Sequence, residues 1–450
     1  MKTDTVDRKI YFLSSGLSPA RMLLAAVICL VPVSAVSANG LFDIYQQAKV
    51  YDADLKAAEY DFEALKQLVP LSRSALRPQA SLSGDIAFND VNPDGSDNYT
   101  SQVLNLTLRQ TLYNRSNGIA LDQAKLSVTQ AEAQLEAQRQ ALMIRVATAY
   151  FNVLRAQAVV LFRRSELDAI GRQKEQNERR FEVGLVPVTD VKNAQAQFDL
   201  ATAQEIAAAN SLSTAEEALI VISGADPKSL KQLSSDAPLV LPDPVDINAW
   251  VKIAEEQNIP LVVAKLAAES AKEQVRLDRA ERYPTLDLVG LARRFETEQR
   301  TGRDIDSGEV RVELNLPLLT GGRINASVAQ SRMEAQAAGQ RLTAQRRATV
   351  QNTRDSYRSV VADVSRVQAL KQALISTQKS LEAQEAGFAE GLLTSLEVLR
   401  SLRDTFSAQS DYASARYDYI LNSLNLKQAV GILSESDLQT IDNWLVDPPQ

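Results

Sequence analysis

The sequence of 450 residues contains no histidine and a single cysteine, Cys29. Without histidine, the chain lacks the commonest acid/base side chain and a usual zinc ligand. Paired carboxylates such as Glu255 and Glu256 occur, but no nucleophile motif or phosphate-binding loop accompanies them. An enzyme is therefore the least favoured hypothesis. We expect no catalytic residues, no metal ligands and no cofactor.

The N-terminal stretch that contains Cys29 has the layout of a secretory signal peptide. Cationic residues such as Lys2 and Arg8 precede the apolar run Met22 to Val33, and small residues lead to Ala38. The alternative is an N-terminal membrane helix, but the apolar run is shorter than the roughly 20 residues that spanning requires. We predict cleavage after Ala38, which leaves a mature chain without disulfides, thiols or an acylated cysteine.

Basic residues are outnumbered by acidic ones, 49 to 56. The formal net charge is −7, and the predicted signal peptide holds four cations and two anions, so the mature chain carries about −9. Nucleic-acid binding needs a basic face, so we expect no nucleic-acid partner. No stretch after Ala38 reaches the length of a transmembrane helix. A membrane protein of this sequence would have to cross the bilayer with strands.

Proline is missing from two long segments, between Pro93 and Pro187 and between Pro317 and Pro448. Within the first, apolar residues recur at steps of three and four, as in Leu142, Val146, Ala149, Val153, Ala156 and Val160. This heptad pattern predicts a helix from about Arg115 to Glu182, on the order of 100 Å long. Partner helices are predicted over Thr189 to Ile222 and Thr394 to Leu433, so each long helix forms an antiparallel hairpin.

Four short segments alternate apolar and polar residues and predict two β-hairpins, at 79–113 and 285–319. One-sided apolar strands fit either a soluble core or a bilayer. Their length of roughly ten residues matches a tilted bilayer crossing. Aromatic residues near the strand ends also favour the membrane, namely Tyr99, Tyr113, Tyr283 and Phe295. Because four strands cannot close a barrel, several copies of the chain would have to pool them.

The chain also contains an internal repeat. An offset of about 207 residues places Gly184 on Gly391 and Leu185 on Leu392. We predict a first structural repeat at 39–245 and a second at 246–450, after the signal peptide at 1–38. Each repeat holds a helix, a β-hairpin and a long helical hairpin, and the hairpin tips are predicted near 184–190 and 391–397.

Several long segments resemble the TolC family of outer-membrane efflux proteins, and the resemblance covers essentially the whole mature chain. They are the tips FEVGLVPVTDVKNAQ (Phe181 to Gln195) and GFAEGLLTSLEVLRS (Gly387 to Ser401), the strand-to-helix corners Leu108 to Ser116 and Leu314 to Val328, ATAYFNVL (Ala147 to Leu154), and the closing segment Ala415 to Leu433.

The resemblance implies an α+β membrane protein. It is expected to form a trimeric 12-stranded β-barrel in the outer membrane, with four strands per chain, continued by a periplasmic barrel of coiled-coil helical hairpins. The implied function is a passive exit duct of a Gram-negative bacterium for multidrug efflux, type I protein secretion or both. The expected partners are two sister subunits, outer-membrane lipid, a periplasmic adaptor (membrane fusion) protein and an inner-membrane ABC- or RND-type pump.

The resemblance also implies a periplasmic gate at the hairpin tips, formed by Asp190, Phe388, Leu393, Glu397 and Arg400. Phe388 and Leu393 stand where the family has a Tyr and an Arg whose polar links hold the gate, so apolar packing is expected to replace those links. Glu397 falls on an acidic ring, where neighbouring copies would raise its carboxyl pKa. The alternative for Glu397 is an ordinary solvated charge. Arg400 reverses the sign expected at its position.

Docking of the adaptor is expected at the outermost residues of the two tips. These are Gly184, Leu185, Val186, Gly391 and Leu392. Opening would be an iris-like outward shift of the hairpin that carries Phe388 to Arg400. The competing hypothesis is a soluble periplasmic coiled-coil scaffold, which explains the helices but gives the strands no role.

Overall fold

The computed structural model of the protein describes residues 39–90, 98–224, 226–299 and 302–448. The predicted signal peptide and most of the polar turn at 92–98 lie outside these residues. The helices are α1 (Leu41–Tyr51), α2 (Ala53–Lys66), α3 (Leu68–Ser74), α4 (Arg115–Glu182), α5 (Val188–Ser223), α6 (Ile247–Gln257), α7 (Ile259–Ala280), α8 (Arg323–Ala389), α9 (Ser395–Val430) and α10 (Glu435–Asp442). The strands are β1 (Gln79–Asn89), β2 (Tyr99–Tyr113), β3 (Gln232–Leu233), β4 (Thr285–Thr297), β5 (Ile305–Asn315) and β6 (Leu445–Val446).

The two longest helices, α4 and α8, contain 68 and 67 residues. Helix α4 has the bounds that the heptad pattern predicts. It begins after Asn114, whose side chain accepts a 2.9 Å hydrogen bond from the Ser116 N–H and so caps the first turn. Helix α9 ends at Val430 and not at the predicted Leu433, because Gly431 adopts a left-handed φ of 91° that ends the helix.

The first helical segment is interrupted at two residues where the sequence predicted continuous helix. The helical segment Leu41 to Leu71 is divided, because Asp52 and Gln67 separate α1, α2 and α3. Asp52 has an extended backbone, and its carboxylate accepts a 2.7 Å hydrogen bond from the Leu55 N–H. Asp52 thus ends one helix and caps the next.

Contacts between the four long helices set their order. Helix α4 packs along α5, α8 packs along α9, and α4 meets α9, which gives the order α5, α4, α9, α8. Helices α5 and α8 therefore lie at opposite edges of this layer. No helix among the described residues has the apolar stretch that a membrane-crossing helix requires.

The main sheet is antiparallel with the strand order β1, β2, β4, β5. Its register places Leu82 opposite Leu106 and Leu106 opposite Ala292, so the alternating apolar residues of neighbouring strands share one face. This face is uncovered: Ile86 and Val310 are each 77% exposed. Strand β5 ends at Asn315 and does not continue through the predicted hairpin end at 319, because Pro317 lacks an N–H for the ladder.

The opposite face of the sheet is polar and carries ion pairs. The guanidinium of Arg109 lies 3.6 Å from a carboxylate oxygen of Asp287 and 3.2 Å from one of Glu313. Each pair joins different strands, so charge on this face ties β2, β4 and β5 together. The outer strands β1 and β5 each have one edge without a partner strand among the described residues.

The largest apolar core surrounds the middle of α4 and the C-terminal half of α9. Tyr150 and Phe151 are fully buried there, and the Phe151 ring lies 5.7 Å from that of Tyr417. The Tyr150 hydroxyl donates a 2.8 Å hydrogen bond to the Lys231 carbonyl. This contact fastens the short β3 region to the long helices. The turns of the two helical hairpins lie outside this core.

Candidate functional site at the hairpin ends

The two helical hairpins turn with the same backbone geometry. Gly184 and Gly391 both adopt a φ of 74°, a left-handed conformation that glycine reaches without steric cost. The Leu185 N–H donates to the Arg180 carbonyl (2.8 Å), and the Leu392 N–H donates to the Gly387 carbonyl (2.9 Å). In both turns, a backbone N–H thus donates to the carbonyl five residues earlier, and this hydrogen bond satisfies a carbonyl at the helix end.

Large apolar side chains are exposed on both turns. Val183 and Leu185 are 69% and 73% exposed on the first turn, and Leu392 is 80% exposed on the second. Val186 is half-buried. Five residues predicted for adaptor docking therefore lie on two similar turns, four of them fully accessible. Exposed apolar clusters of this kind mark interaction surfaces.

Phe388 and Leu393 turn toward their own chain. Phe388 is only 6% exposed, and its ring centre lies 4.3 Å from the guanidinium carbon of Arg180 on the other hairpin. This is a cation–π contact between α8 and α4. Leu393 lies over Gly387. A Cβ added to Gly387 would be 2.7 Å from Leu393 Cδ1. Glycine at 387 thus allows the turn to fold back onto the helix.

A buried asparagine joins the two hairpins at the same level. Asn177 of α4 is fully buried, and its Nδ2 donates to the hydroxyl of Ser395 on α9 at 3.0 Å. The same Nδ2 lies 3.5 Å from the Asp190 carbonyl on α5, and Gln173 donates to Asn177 Oδ1 at 3.3 Å. Asp190, predicted for the gate, thus joins this network through its backbone. Three helices meet at one amide.

Glu397 caps the helix that begins at the second turn. Its carboxylate accepts hydrogen bonds from the Thr394 N–H (2.8 Å) and the Thr394 hydroxyl (2.9 Å). Within one chain, the hydrogen bond from the Thr394 N–H, followed by the hydroxyl bond, lowers the pKa of Glu397 below its ordinary value, and Arg400 lowers it further. This direction is opposite to the rise expected from an acidic ring of several copies. Both Glu397 and Arg400 are exposed.

An apolar layer lies just beyond these polar contacts, farther from the turns. It contains Ile170, Ala194, Ala201, Leu399 and Leu402, which belong to α4, α5 and α9. Leu381 of α8 packs against it, so all four long helices are held together there. Small alanines permit close helix approach at this level.

The sequence did not single out Asn177, Arg180 or Ser395, although one signal was available. Asn177 follows the buried Ile170 by one heptad, so it is a polar residue at a core position of the seam. A polar residue at such a position is typical of a specific buried contact. Its partner could not be deduced, because Ser395 lies in the other repeat.

Long helical hairpins that continue from an antiparallel sheet with one uncovered apolar face define a class of outer-membrane channel proteins. The sequence model of the family described as Outer membrane efflux protein matches residues 44–225 and again residues 250–432. The chain belongs to this family.

Individual relatives agree with this assignment. Outer membrane protein TolC of Vibrio cholerae serotype O1 is 37% identical over 419 residues, covering 92% of this chain and 95% of that protein. The proteases secretion protein PrtF of Dickeya chrysanthemi is 26% identical over 446 residues, covering 95% and 96%. A crystal structure of CusC superposes with a TM-score of 0.78 at 17% identity, covering 88% of this chain and 92% of that one. The last likeness concerns the fold alone.

Proposed function

We propose that the protein is one subunit of a passive exit duct in the outer membrane of a Gram-negative bacterium, serving multidrug efflux, type I protein secretion or both. The observation that carries this function is the continuity of the chain. The sheet with an uncovered apolar face passes directly into helices on the order of 100 Å long. Such a chain places one end in lipid and extends the other across an aqueous space.

The duct is a homotrimer whose pooled strands close one barrel. Support comes from the free edges of β1 and β5, which a neighbouring chain can pair, and from the rule that four strands are too few for closure. Closed rings also remove the sheet edges that lipid cannot satisfy. A water-soluble scaffold would leave this sheet face without a purpose.

Charge at the edges of the helical layer supports the same ring. Glu217 on α5 and Arg358 on α8 are both exposed and both lie about 30 residues from the turn, so about 45 Å from it. Arg358 belongs to a groove of about 590 Å³ that also holds Arg346, Arg347 and Arg354. If α8 of one copy meets α5 of the next, Arg358, at the end of this groove nearer the turn, lies level with Glu216 and Glu217. The groove also contains the acidic residues Glu255 and Asp355.

The turns at Gly184 and Gly391 are the docking points of a periplasmic adaptor, which connects the duct to an inner-membrane pump. Their exposed leucines supply apolar contact area, and three copies present six turns around one entrance. Docking shifts the hairpin of α8 and α9 outward and widens the entrance without a covalent step. No catalytic step is proposed, in keeping with a family of transport proteins.

The chain consists of two copies of one structural unit, at 39–245 and 246–450, after a cleaved signal peptide at 1–38. Support comes from the family model, which matches once within each unit, and from the equal φ of Gly184 and Gly391. Each copy contributes one β-hairpin and one helical hairpin to the wall of the duct.

Fractionation and bilayer recording test the function. The full-length protein is expected in the outer-membrane fraction as a trimer that survives detergent, and purified trimers are expected to conduct ions in planar bilayers. A water-soluble monomer in the periplasmic extract, with no conductance, would contradict the proposal and favour the scaffold.

A further inference from the structure

The buried amide of Asn177 bridges two hairpins that must separate if the entrance is to widen. It lies on α4, while its 3.0 Å acceptor, Ser395 Oγ, is on the first residue of α9. Both residues are buried within a single chain, at 0% and 2% exposure. Any outward shift of α9 relative to α4 therefore breaks this bond and leaves a buried amide with one partner fewer.

One turn farther along α4, Arg180 makes the second contact between the hairpins. Its guanidinium carbon lies 4.3 Å from the centre of the Phe388 ring, in the last turn of α8. Asn177 and Arg180 are three residues apart and so lie on one face of α4. This face holds the start of α9 through a hydrogen bond and the end of α8 through a cation–π contact.

The turns are bonded directly to the residues that make these contacts. The Leu185 N–H donates to the Arg180 carbonyl at 2.8 Å, and the Gly391 N–H donates to the Phe388 carbonyl at 3.1 Å. Leu185 and Gly391 are residues where adaptor docking is proposed. A protein that pulls on either turn therefore pulls on the backbone of Arg180 or Phe388.

We infer that Asn177–Ser395 and Arg180–Phe388 form a latch within each subunit, which holds the entrance in its resting position and is released through the turns. This latch rests on the proposed function. The latch explains how the hairpin of α8 and α9 is held, although Phe388 and Leu393 stand where the family has Tyr and Arg. Water or polar groups of a docked protein can replace both contacts when they break, so the latch is reversible.

The test is the resting conductance of full-length trimers in planar bilayers in potassium chloride, with no other protein added. Asn177→Ala and Ser395→Ala are each expected to raise the resting open probability about tenfold, because a buried group loses its partner. The double variant should rise no further than the single variants, since both remove one bond. Arg180→Gln should raise the open probability, and Arg180→Lys should raise it less.

Asn193→Ala is the matched control, because Asn193 is an exposed asparagine near the same turn. It should leave the open probability unchanged. Ser395→Ala keeps the test decisive if Asn177→Ala fails to form trimers, since it removes a single oxygen on the other helix. Intact trimers of Ser395→Ala and Arg180→Gln that stay as closed as wild type overturn the latch. A wild-type protein that forms no channels overturns the proposed function and the latch with it.

Discussion

The carboxylate of Glu397 serves the start of α9, whatever else it does at the entrance. It accepts two hydrogen bonds from Thr394, and the backbone bond is the largest single cause of the lowered pKa. A family position that suggests an acidic pore ring is thus also a helix cap. The two roles predict opposite pH behaviour, because a cap lowers the pKa and a ring of like charges raises it.

Hydrogen exchange at the start of α9 separates these roles. With a lowered pKa, the cap is fully present above the ordinary Glu value of 4.5 and is lost as the pH falls through the still lower folded value. We therefore expect the protection of the first α9 amides, relative to the intrinsic exchange rate at each pH, to fall only below pH 4.5, and Glu397→Gln to remove this fall. Glu390→Gln, an exposed acid on the same turn, is the control. Loosening that begins above pH 4.5 would favour the acidic ring.

Glycines that end helices differ in how much space surrounds them. Gly184 and Gly391 both have positive φ, and no atom lies within 4 Å of an added Cβ. At Gly431, with a φ of 91°, a Cβ would be 2.2 Å from the Gln257 carbonyl oxygen. The first two positions therefore oppose a side chain through backbone strain alone, and the third adds a clash with neighbouring backbone.

Thermal melting of alanine variants should reproduce this order. Gly391→Ala is expected to lower the melting temperature by roughly 2–4 °C, as strain of about 1–2 kcal/mol would. Gly431→Ala should lower it at least twice as much, because backbone must move. Gly339→Ala, within α8 and with open space around it, is the control and should melt no lower than wild type. Equal shifts at Gly391 and Gly431 would contradict this account.

The exposed leucines of the turns allow a direct test of docking. Leu185→Ser and Leu392→Ser remove apolar area from side chains that are 73% and 80% exposed, so folding should be unaffected. Each change should weaken adaptor binding about tenfold, measured by crosslinking in cells, because each leucine contributes roughly 1.5–3 kcal/mol when buried. Leu71→Ser, on the exposed side of α3, is the control. Unchanged crosslinking would place the docking surface elsewhere.

Much of the element layout could be predicted from local sequence signals. The bounds of α4 followed from a proline-free heptad pattern. The breaks at Asp52 and Gln67 did not, because a short polar cap inside an amphipathic run leaves the period unchanged. At the site, the turns were found from the repeat. The Asn177–Ser395 bond was not, because its partners are 218 residues apart.

The proposed ring of three chains predicts a charge contact that one chain cannot make alone. If Glu217 of one copy faces Arg358 of the next, Arg358→Glu or Glu217→Arg places like charges together at every interface. Each single variant should lower the melting temperature of the trimer by roughly 1–3 °C, and the double swap should recover most of it. Arg341→Glu, an exposed change farther from the turn than α5 extends, is the control. Failure of the double swap to recover stability would rule out this pairing.

The open edges of β1 and β5 also bear on how the protein is made. A chain that folds alone would carry two unpaired strand edges and an exposed apolar sheet face. Unpaired edges of this kind promote aggregation. In the proposed trimer, subunits must therefore meet before or during bilayer entry, so that neighbouring chains pair these edges.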